Sequence, residues 1–129
     1  VFGVWGLAFK PQTDDMREAP SITVIDKLIQ CGARIIAYDP EAIEQAKLIF
    51  KHISIEKLQY VAVKMDAVKN TNALLLLTEW REFRQTDLHT VKREMAEAVI
   101  FDGRNQYDPV KMQKLGFEYY CIGRNKHGN

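Results

Sequence analysis

The residues best suited to bind an anion lie just after the first apolar segment of the chain, residues 1–5. Lys10 follows this segment, and Arg17 precedes a stretch in which apolar residues recur at helical spacing. A lysine past a strand end can contact a phosphate as a point charge, and an arginine ahead of a helix N-terminus can bind one through two hydrogen bonds. Three acidic residues share this loop, so its charges could instead pair with one another in solvent. The residue types alone leave both interpretations open.

Three further segment ends carry polar residues that could face a ligand. Arg104 follows an apolar segment and a flexible glycine, where it could face a ligand or pair with Asp102 or Asp108. Asp39 ends the second apolar segment, where a dinucleotide-binding fold holds a ribose, but the proline after it also suits a helix N-cap, which we favour. Thr78-Glu79-Trp80 is interpreted as packing, with its tryptophan at the edge of the core and its threonine as a hydroxyl cap.

Several common catalytic patterns are missing from the sequence. Neither serine lies in a GxSxG motif, the three histidines lack metal-ligand spacing, and no GxxxxGK[ST] loop is present. Gly3 and Gly6 do not form the GxGxxG fingerprint of a dinucleotide site. Cys31 and Cys121 are far apart and outside any CxxC pair, so we expect two buried structural thiols. The sequence therefore predicts no catalytic residue and no metal ligand in this chain.

The composition is that of one folded domain without a strong net charge. The chain has 129 residues, 47% of them hydrophobic, and 18 basic against 17 acidic residues give a net charge of +1. Proteins that coat nucleic acid or anionic membranes usually carry a clear basic excess, so we expect neither partner. The longest apolar run, residues 73–77, is far shorter than a membrane span, and the first residues lack the features of a signal peptide. We therefore expect a cytoplasmic protein.

Apolar segments with strand character alternate with segments of helical spacing. We predict strands over residues 1–5, 33–38, 73–77, 99–101 and 117–122, and helices over 20–31, 41–50, 60–69, 87–98 and 108–115. Residues 51–59 are predicted as a loop with a short extended piece, and residues 80–84 as a connecting turn. This alternation predicts a three-layer α/β/α, Rossmann-like fold with a mostly parallel sheet of about five or six strands. Ligands of such sheets bind at the carboxyl ends of the strands, where the loops 6–18, 78–80 and 102–106 would lie.

Five motifs, in the same order, resemble those of one known family. They are Gly6-Leu7-Ala8-Phe9-Lys10-Pro11, Thr13-Asp14-Asp15-Met16-Arg17-Glu18-Ala19-Pro20-Ser21, Tyr38-Asp39-Pro40, Thr78-Glu79-Trp80 and Phe101-Asp102-Gly103-Arg104-Asn105. Together they span nearly the whole chain and are similar to the C-terminal UDP-binding domain of the UDP-glucose/GDP-mannose dehydrogenase family. Their forms look most similar to the UDP-glucose 6-dehydrogenases of that family. Ala19 departs from the pattern, since many relatives have a serine there; the change would weaken a helix cap, and the resemblance assigns no ligand role to this position.

The resemblance implies ligand contacts for four residues. Phe9 and Lys10 would contact the UDP-sugar, and Arg104 would join them on its nucleotide side. Arg17 would face NAD, which is bound mainly by an N-terminal domain in this family. The loop charges would then face ligands, with the neighbouring acids orienting them. The UDP-sugar-binding domain would occupy residues 1–123, and residues 124–129 would form a frayed tail.

For the complete protein, the resemblance implies an oxidoreductase that converts UDP-glucose to UDP-glucuronate, a polysaccharide precursor, in two NAD-dependent steps. The family's NAD fingerprint, central dimerisation helix and catalytic cysteine motif are absent from this sequence, so we expect the isolated domain to be inactive. Its partners would be the N-terminal and central domains of the same polypeptide, and the full-length protein would form a homo-oligomer. Two alternatives stay open: a stand-alone nucleotide-binding module, and the same domain of a GDP-mannose or UDP-N-acetyl-sugar dehydrogenase.

Overall fold

In the computed structural model, which describes residues 1–121, six short strands form one sheet. The strands are β1 (Phe2–Trp5), β2 (Ile35–Tyr38), β3 (Leu58–Tyr60), β4 (Ala73–Leu76), β5 (Val99–Asp102) and β6 (Glu118–Cys121). They lie in the order β3-β2-β1-β4-β5-β6, and every neighbouring pair is parallel. The predicted Rossmann-like α/β sheet is confirmed.

Helices connect the strands. They are α1 (Pro20–Gln30), α2 (Ile43–Ile49), a 3-10 turn (Lys64–Ala67), α3 (Arg81–Arg84), α4 (Leu88–Glu94) and α5 (Pro109–Lys114). Pro20 occupies the first turn of α1, where its missing N–H costs nothing, and Gly32 follows the helix with a φ of +92°. Both end signals of α1 in the sequence are therefore confirmed.

The two faces of the sheet carry separate hydrophobic cores. On one face, Val4 and Ile35 pack with α1, α2 and the loop after β1. On the other face, Trp5 and Leu76 pack with the 3-10 turn and with α3, α4 and α5. Trp5 is fully buried and stacks on Phe83 of α3, with ring centroids 5.0 Å apart. Helices on both faces give the three layers predicted from the sequence.

The segment predicted as a helix over residues 60–69 is instead the end of an edge strand followed by a 3-10 turn. Leu58–Tyr60 pairs in parallel with β2, and the buried Leu58 joins the core on the α1 and α2 side. The 3-10 turn brings the Ala67 carbonyl against β1 at a point where Gly3 has no side chain. Pairing with β2 stabilises this segment more than an isolated short helix would be stabilised. The short extended piece predicted within residues 51–59 is present at its C-terminal end.

The helix predicted over residues 87–98 ends earlier, at Glu94. Beyond it, the backbone N–H groups of Ala96 and Glu97 both donate to the Thr71 carbonyl oxygen, just before β4. These bonds to a neighbouring loop replace the bonds that would continue the helix. In addition, the turn predicted over residues 80–84 contains one helical turn, α3.

One thiol prediction is wrong. Cys31 is exposed because it is the C-cap of α1 and this end of the helix, with Gly32, lies at the surface, whereas Cys121 is partly buried in β6. Within residues 1–121, His, Cys, Asp and Glu side chains form no group of three or more that could hold a metal ion. None of the helices in that part of the chain has the length and apolarity needed to cross a bilayer. Ile122 and the predicted tail, residues 124–129, lie outside the described residues.

The strand order reverses direction between β1 and β4, and this point organises the site. The chain first builds outward from β1 through β2 to β3, then returns to the other side of β1 and builds from β4 to β6. In open parallel sheets, ligands bind beyond the carboxyl ends of the strands at such a switch point. The loops after β1, β4 and β5 meet at the carboxyl ends of these strands, and they contain the residues selected from the sequence.

Candidate functional site

The loop after β1 is fixed to the sheet at its first residues. Gly6 has a φ of +103°, and a Cβ there would lie 2.5 Å from the Thr78 backbone nitrogen, so the close approach of these loops requires glycine. Leu7 and Ala8 are buried, and the Thr78 hydroxyl donates to the Ala8 carbonyl oxygen. The Ser21 hydroxyl of α1 donates to the Leu7 carbonyl oxygen at 2.7 Å. The backbone that leads into the charged part of the loop is therefore held from two sides.

Asp39, directly after β2, also holds the loop after β1, through hydrogen bonds to its backbone. Its side chain is buried, and its Oδ2 accepts the backbone N–H groups of Leu7 at 2.7 Å and Ala8 at 3.0 Å. The indole Nε1 of Trp80 donates to the same oxygen at 3.3 Å. One carboxylate oxygen thus joins the ends of β1, β2 and β4.

The other oxygen of Asp39 corrects two interpretations of the sequence. Its Oδ1 accepts the backbone N–H groups of Glu41 and Ala42, both at 2.8 Å, in the turn before α2. The N-cap of α2 is Ala42, so the prediction that Asp39 caps this helix is wrong, although Asp39 does fix the approach to it. The ribose-binding alternative is not supported either, because internal N–H groups occupy both oxygens.

Beyond these anchors, Phe9 and Lys10 are exposed. The Phe9 side chain is 41% exposed, and the Lys10 Nζ lies 5.7 Å from the centre of its ring. The Phe9 backbone N–H donates to the Asp15 carbonyl oxygen at 2.9 Å, which closes the loop at its base. An aromatic face beside an ammonium group suits a ligand that carries both a ring and an anionic group.

Arg17 and Asp15 form an ion pair at the other end of this loop. The Arg17 Nη2 lies 2.9 Å from the Asp15 Oδ2, and the Arg17 Nε lies 3.1 Å from the Asp15 Oδ1. Hydrogen bonds from the Arg17 side chain and backbone lower the pKa of Asp15 to about 2, and the charge of Lys10 adds a smaller contribution. The Arg17 side chain is 89% exposed. The loop charges therefore pair in part, while Arg17 stays accessible to a ligand near the start of α1.

Arg104, in the loop after β5, is held at its backbone and at its tip. Its backbone N–H donates to the Asp102 Oδ1 at 3.0 Å, and its Nη2 lies 2.8 and 3.1 Å from the two carboxylate oxygens of Glu79. Partial burial raises the pKa of Glu79, but the hydrogen bonds and charge of Arg104 outweigh this effect and leave that pKa below its usual value. The ion-pair partner is thus Glu79 and not Asp102 or Asp108.

Asp102 organises the loop that carries Arg104. It is 1% exposed, and its Oδ2 accepts the backbone N–H groups of Gln106 at 2.6 Å and Tyr107 at 3.1 Å. The Tyr119 hydroxyl of β6 donates to the same oxygen at 2.6 Å. Burial and then this hydrogen bond raise the pKa of Tyr119, so its hydroxyl stays a donor at neutral pH. The Arg104 loop is therefore tied to both β5 and β6.

Backbone strain is concentrated in the same two loops. Gln12 and Glu18 in the loop after β1, and Asn105 in the loop after β5, have φ values of 65°, 59° and 55°. Among the described residues, the other non-glycine residue with positive φ is Asn70. Side chains with a Cβ rarely adopt this conformation, and it persists where surrounding contacts enforce it, often at functional sites.

The structure places the four residues selected from the sequence on loops at the carboxyl ends of the strands. Phe9, Lys10 and Arg17 lie on the loop after β1, and Arg104 lies on the loop after β5, with β4 between these strands. Sequence reasoning missed Glu79, which it treated with its neighbours as packing. The available signal was an acid in the loop after a buried strand, matched by an arginine in the loop after another strand.

The family of the chain follows from comparison with known proteins. The model of the UDP-glucose/GDP-mannose dehydrogenase family, UDP binding domain, matches residues 3–109, which include all the loops described above. The chain belongs to this family. The UDP-binding domain is 40% identical over 127 residues to a UDP-glucose 6-dehydrogenase of Pseudomonas aeruginosa, covering 98% of this chain and 28% of that protein. It is 44% identical over 119 residues to a UDP-glucose 6-dehydrogenase of Bacillus subtilis, covering 92% of this chain and 26% of that protein.

Solved structures show the same fold for this UDP-binding domain. An NDP-N-acetyl-D-galactosaminuronic acid dehydrogenase of Methanosarcina mazei superposes with a TM-score of 0.79 at 26% identity, over 98% of this chain and 25% of that one. A UDP-glucose dehydrogenase of Pyrobaculum islandicum superposes with a TM-score of 0.68 at 30% identity, over 93% of this chain and 24% of that one. The UDP-binding domain thus spans about a quarter of the length of the proteins it matches.

Proposed function

We propose that this chain is the UDP-sugar-binding domain of an NAD-dependent UDP-glucose 6-dehydrogenase, which oxidises UDP-glucose to UDP-glucuronate. The observation that supports it most is a pair of cations at the carboxyl ends of the strands, in a chain of this family. Lys10 follows β1, and Arg104 follows β5. Neighbouring strands lie roughly 4.8 Å apart, so the two loops start roughly 10 Å apart, a distance that one nucleotide-sugar can span.

Each proposed contact follows from the chemistry of its side chain. Lys10 and Arg104 would bind the diphosphate, because their donors are charged and partly or fully exposed beside fixed backbone. The exposed ring of Phe9 would pack on the apolar face of the sugar or the base. Binding energy of this kind holds the reacting alcohol in place and can lower the barrier by several kcal/mol, about 7–11 in favourable cases.

NAD would contact this domain only at an exposed residue, and not in a dinucleotide site at the ends of β1 and β2. The glycines after β1 do not form a dinucleotide fingerprint, and the carboxylate of Asp39 is filled by internal donors. Arg17, exposed at the start of α1, is the residue that would reach NAD held mainly by the rest of the polypeptide. When bound, NAD supplies the hydride acceptor for the oxidation.

The proposal also covers the location, the assembly and the substrate preference of the full-length enzyme. It places the enzyme in the cytoplasm, as a homo-oligomer whose N-terminal and central domains complete the site. It favours UDP-glucose over GDP-mannose and UDP-N-acetyl sugars, because the two UDP-glucose 6-dehydrogenases described above are 40% and 44% identical to this chain.

The test is an assay of the native full-length gene product. With UDP-glucose and NAD, we expect steady NADH formation at two NADH per sugar, and slower formation with GDP-mannose or a UDP-N-acetyl sugar. The 129-residue chain alone should give no NADH, because the family's catalytic cysteine motif and NAD fingerprint are absent from its sequence. A native product that consists of this domain alone and forms no NADH from any nucleotide-sugar would favour the stand-alone binding module.

A further inference from the structure

The loop after β4, Thr78-Glu79-Trp80, is hydrogen-bonded to the loop after β1 and to Asp39, which holds that loop. The Thr78 hydroxyl donates to the Ala8 carbonyl oxygen, immediately before Phe9. The Trp80 indole donates to the Asp39 carboxylate, which also accepts the Ala8 backbone N–H. The loop after β4 therefore contributes to holding Phe9 and Lys10.

The same loop is bonded to the loop after β5 on its other side. The Thr78 carbonyl oxygen accepts the Gln106 Nε2 at 3.1 Å. The Glu79 carboxylate contacts the Arg104 Nη2 at 2.8 and 3.1 Å. Three consecutive residues of one loop thus connect the two loops that carry the proposed ligand-binding side chains. The interpretation of this motif as packing alone is therefore incomplete.

The contact with Glu79 uses one nitrogen of Arg104 and leaves the others available. Both carboxylate oxygens lie at Nη2, whereas Nε and Nη1 have no hydrogen-bond partner among residues 1–121. The Arg104 side chain is 31% exposed, so these donors can be reached from solvent. A guanidinium group carries five donors in a fixed plane, and fixing one edge of that plane sets the direction of the other.

We propose that Glu79 is a positioning residue, which holds the Nη2 of Arg104 so that its remaining donors face the diphosphate of the UDP-sugar. This inference rests on the proposed function, because it takes the UDP-sugar as the ligand of Arg104.

Glu79 also carries a negative charge, which repels an anionic ligand. Its side chain is 38% exposed, so solvent and salt screen this repulsion. An arginine that is already ordered loses less conformational entropy on binding than a mobile one. The ordering effect therefore outweighs the screened repulsion, and the loss of the Glu79 contact weakens UDP binding.

The first experiment is calorimetric titration of UDP into the native full-length protein and its Glu79→Gln variant. We expect UDP to bind about three- to tenfold more weakly, the factor that corresponds to ordering one long side chain. The KM for UDP-glucose should rise by a similar factor, whereas kcat and the KM for NAD should change less than about twofold. The matched control is Glu97→Gln, at the amino end of β5, where Glu97 accepts a hydrogen bond from Asn72. This control should leave UDP affinity unchanged.

A second variant separates position from charge. Glu79→Asp keeps the negative charge but withdraws the carboxylate by one methylene, so it should also weaken UDP binding. In an Arg104→Ala background, Glu79→Gln should not weaken UDP binding further, because Glu79 acts through Arg104; loss of its screened repulsion should leave UDP affinity unchanged or slightly higher. Unchanged or tighter UDP binding by Glu79→Gln, or an equal loss in both backgrounds, would overturn this inference. If Arg104→Ala alone leaves UDP affinity unchanged, the proposed UDP contact fails instead, and this inference fails with it.

Discussion

Replacement of Asp39 by alanine is expected to lower the free energy of unfolding by about 3–5 kcal/mol. Asp39 is 2% exposed, and its two oxygens accept four backbone N–H groups and one indole N–H. Alanine leaves these donors without an acceptor, and each buried donor left unpaired costs roughly 1–3 kcal/mol. Water that enters the new space satisfies some of them, so the expected total is less than five such costs. Urea denaturation of the 129-residue chain, followed by the fluorescence of Trp5 and Trp80, measures the change.

Two further variants control for the change at Asp39. Asp66→Ala removes an exposed carboxylate that pairs with Lys69 at 3.1 Å, and it should change stability by no more than about 0.5 kcal/mol. Asp39→Asn keeps one acceptor oxygen but points an amide N–H at backbone donors, so its stability should fall between those of the native chain and Asp39→Ala. A loss below about 1 kcal/mol for Asp39→Ala would show that this carboxylate does not hold the loops together.

Lys10→Ala and Arg17→Ala are expected to weaken the binding of different ligands to the full-length protein. Both cations lie on the loop after β1. Lys10 precedes Asp15 in the sequence, whereas Arg17 follows Asp15 and lies close to the start of α1. Removing one charge-assisted hydrogen bond costs about 1.5–3 kcal/mol, which is a loss of roughly ten- to hundredfold in affinity. Lys10→Ala should therefore weaken UDP-glucose binding and leave NAD affinity within a few-fold. Arg17→Ala should do the reverse, as equilibrium titration of each ligand would show.

The conservative variant Arg17→Lys is the matched control, since it keeps the charge and loses the planar fork. We expect it to restore NAD affinity in part. Thermal stability should change little in all three variants, because the Arg17 and Lys10 side chains are exposed. If Lys10→Ala weakens NAD as much as UDP-glucose, the two ligands are not divided between these cations.

The fold was predictable where a segment's own sequence determines its structure. The boundaries of α1 follow from Pro20 and Gly32, and β4 lies in the longest apolar run. The strand β3 was not predictable in the same way. Its three residues become a strand because they pair with Ile35–Ala37, and no local pattern shows that a neighbouring strand has a free edge there.

The candidate site divides along the same line. Lys10, Arg17 and Arg104 could be selected from local sequence, because a cation beside a strand or helix end has a direct chemical meaning. Glu79 and Asp39 could not be assigned their contacts, since these depend on residues far away in the chain. Arg104 is 25 positions from Glu79, and Leu7 is 32 positions from Asp39. The strand order brings such residues together, and that order had to be seen in the structure.

The most direct test of the account is a calorimetric comparison of UDP and uridine binding to the native full-length protein. The two ligands share the base and ribose and differ in the diphosphate, which Lys10 and Arg104 are proposed to bind. We expect UDP to bind at least roughly tenfold more tightly than uridine, and added salt to reduce this difference. In the Lys10→Ala, Arg104→Ala double variant, the preference should fall to within about twofold. Equal binding of UDP and uridine by the native protein, or an unchanged preference in the double variant, would contradict the account.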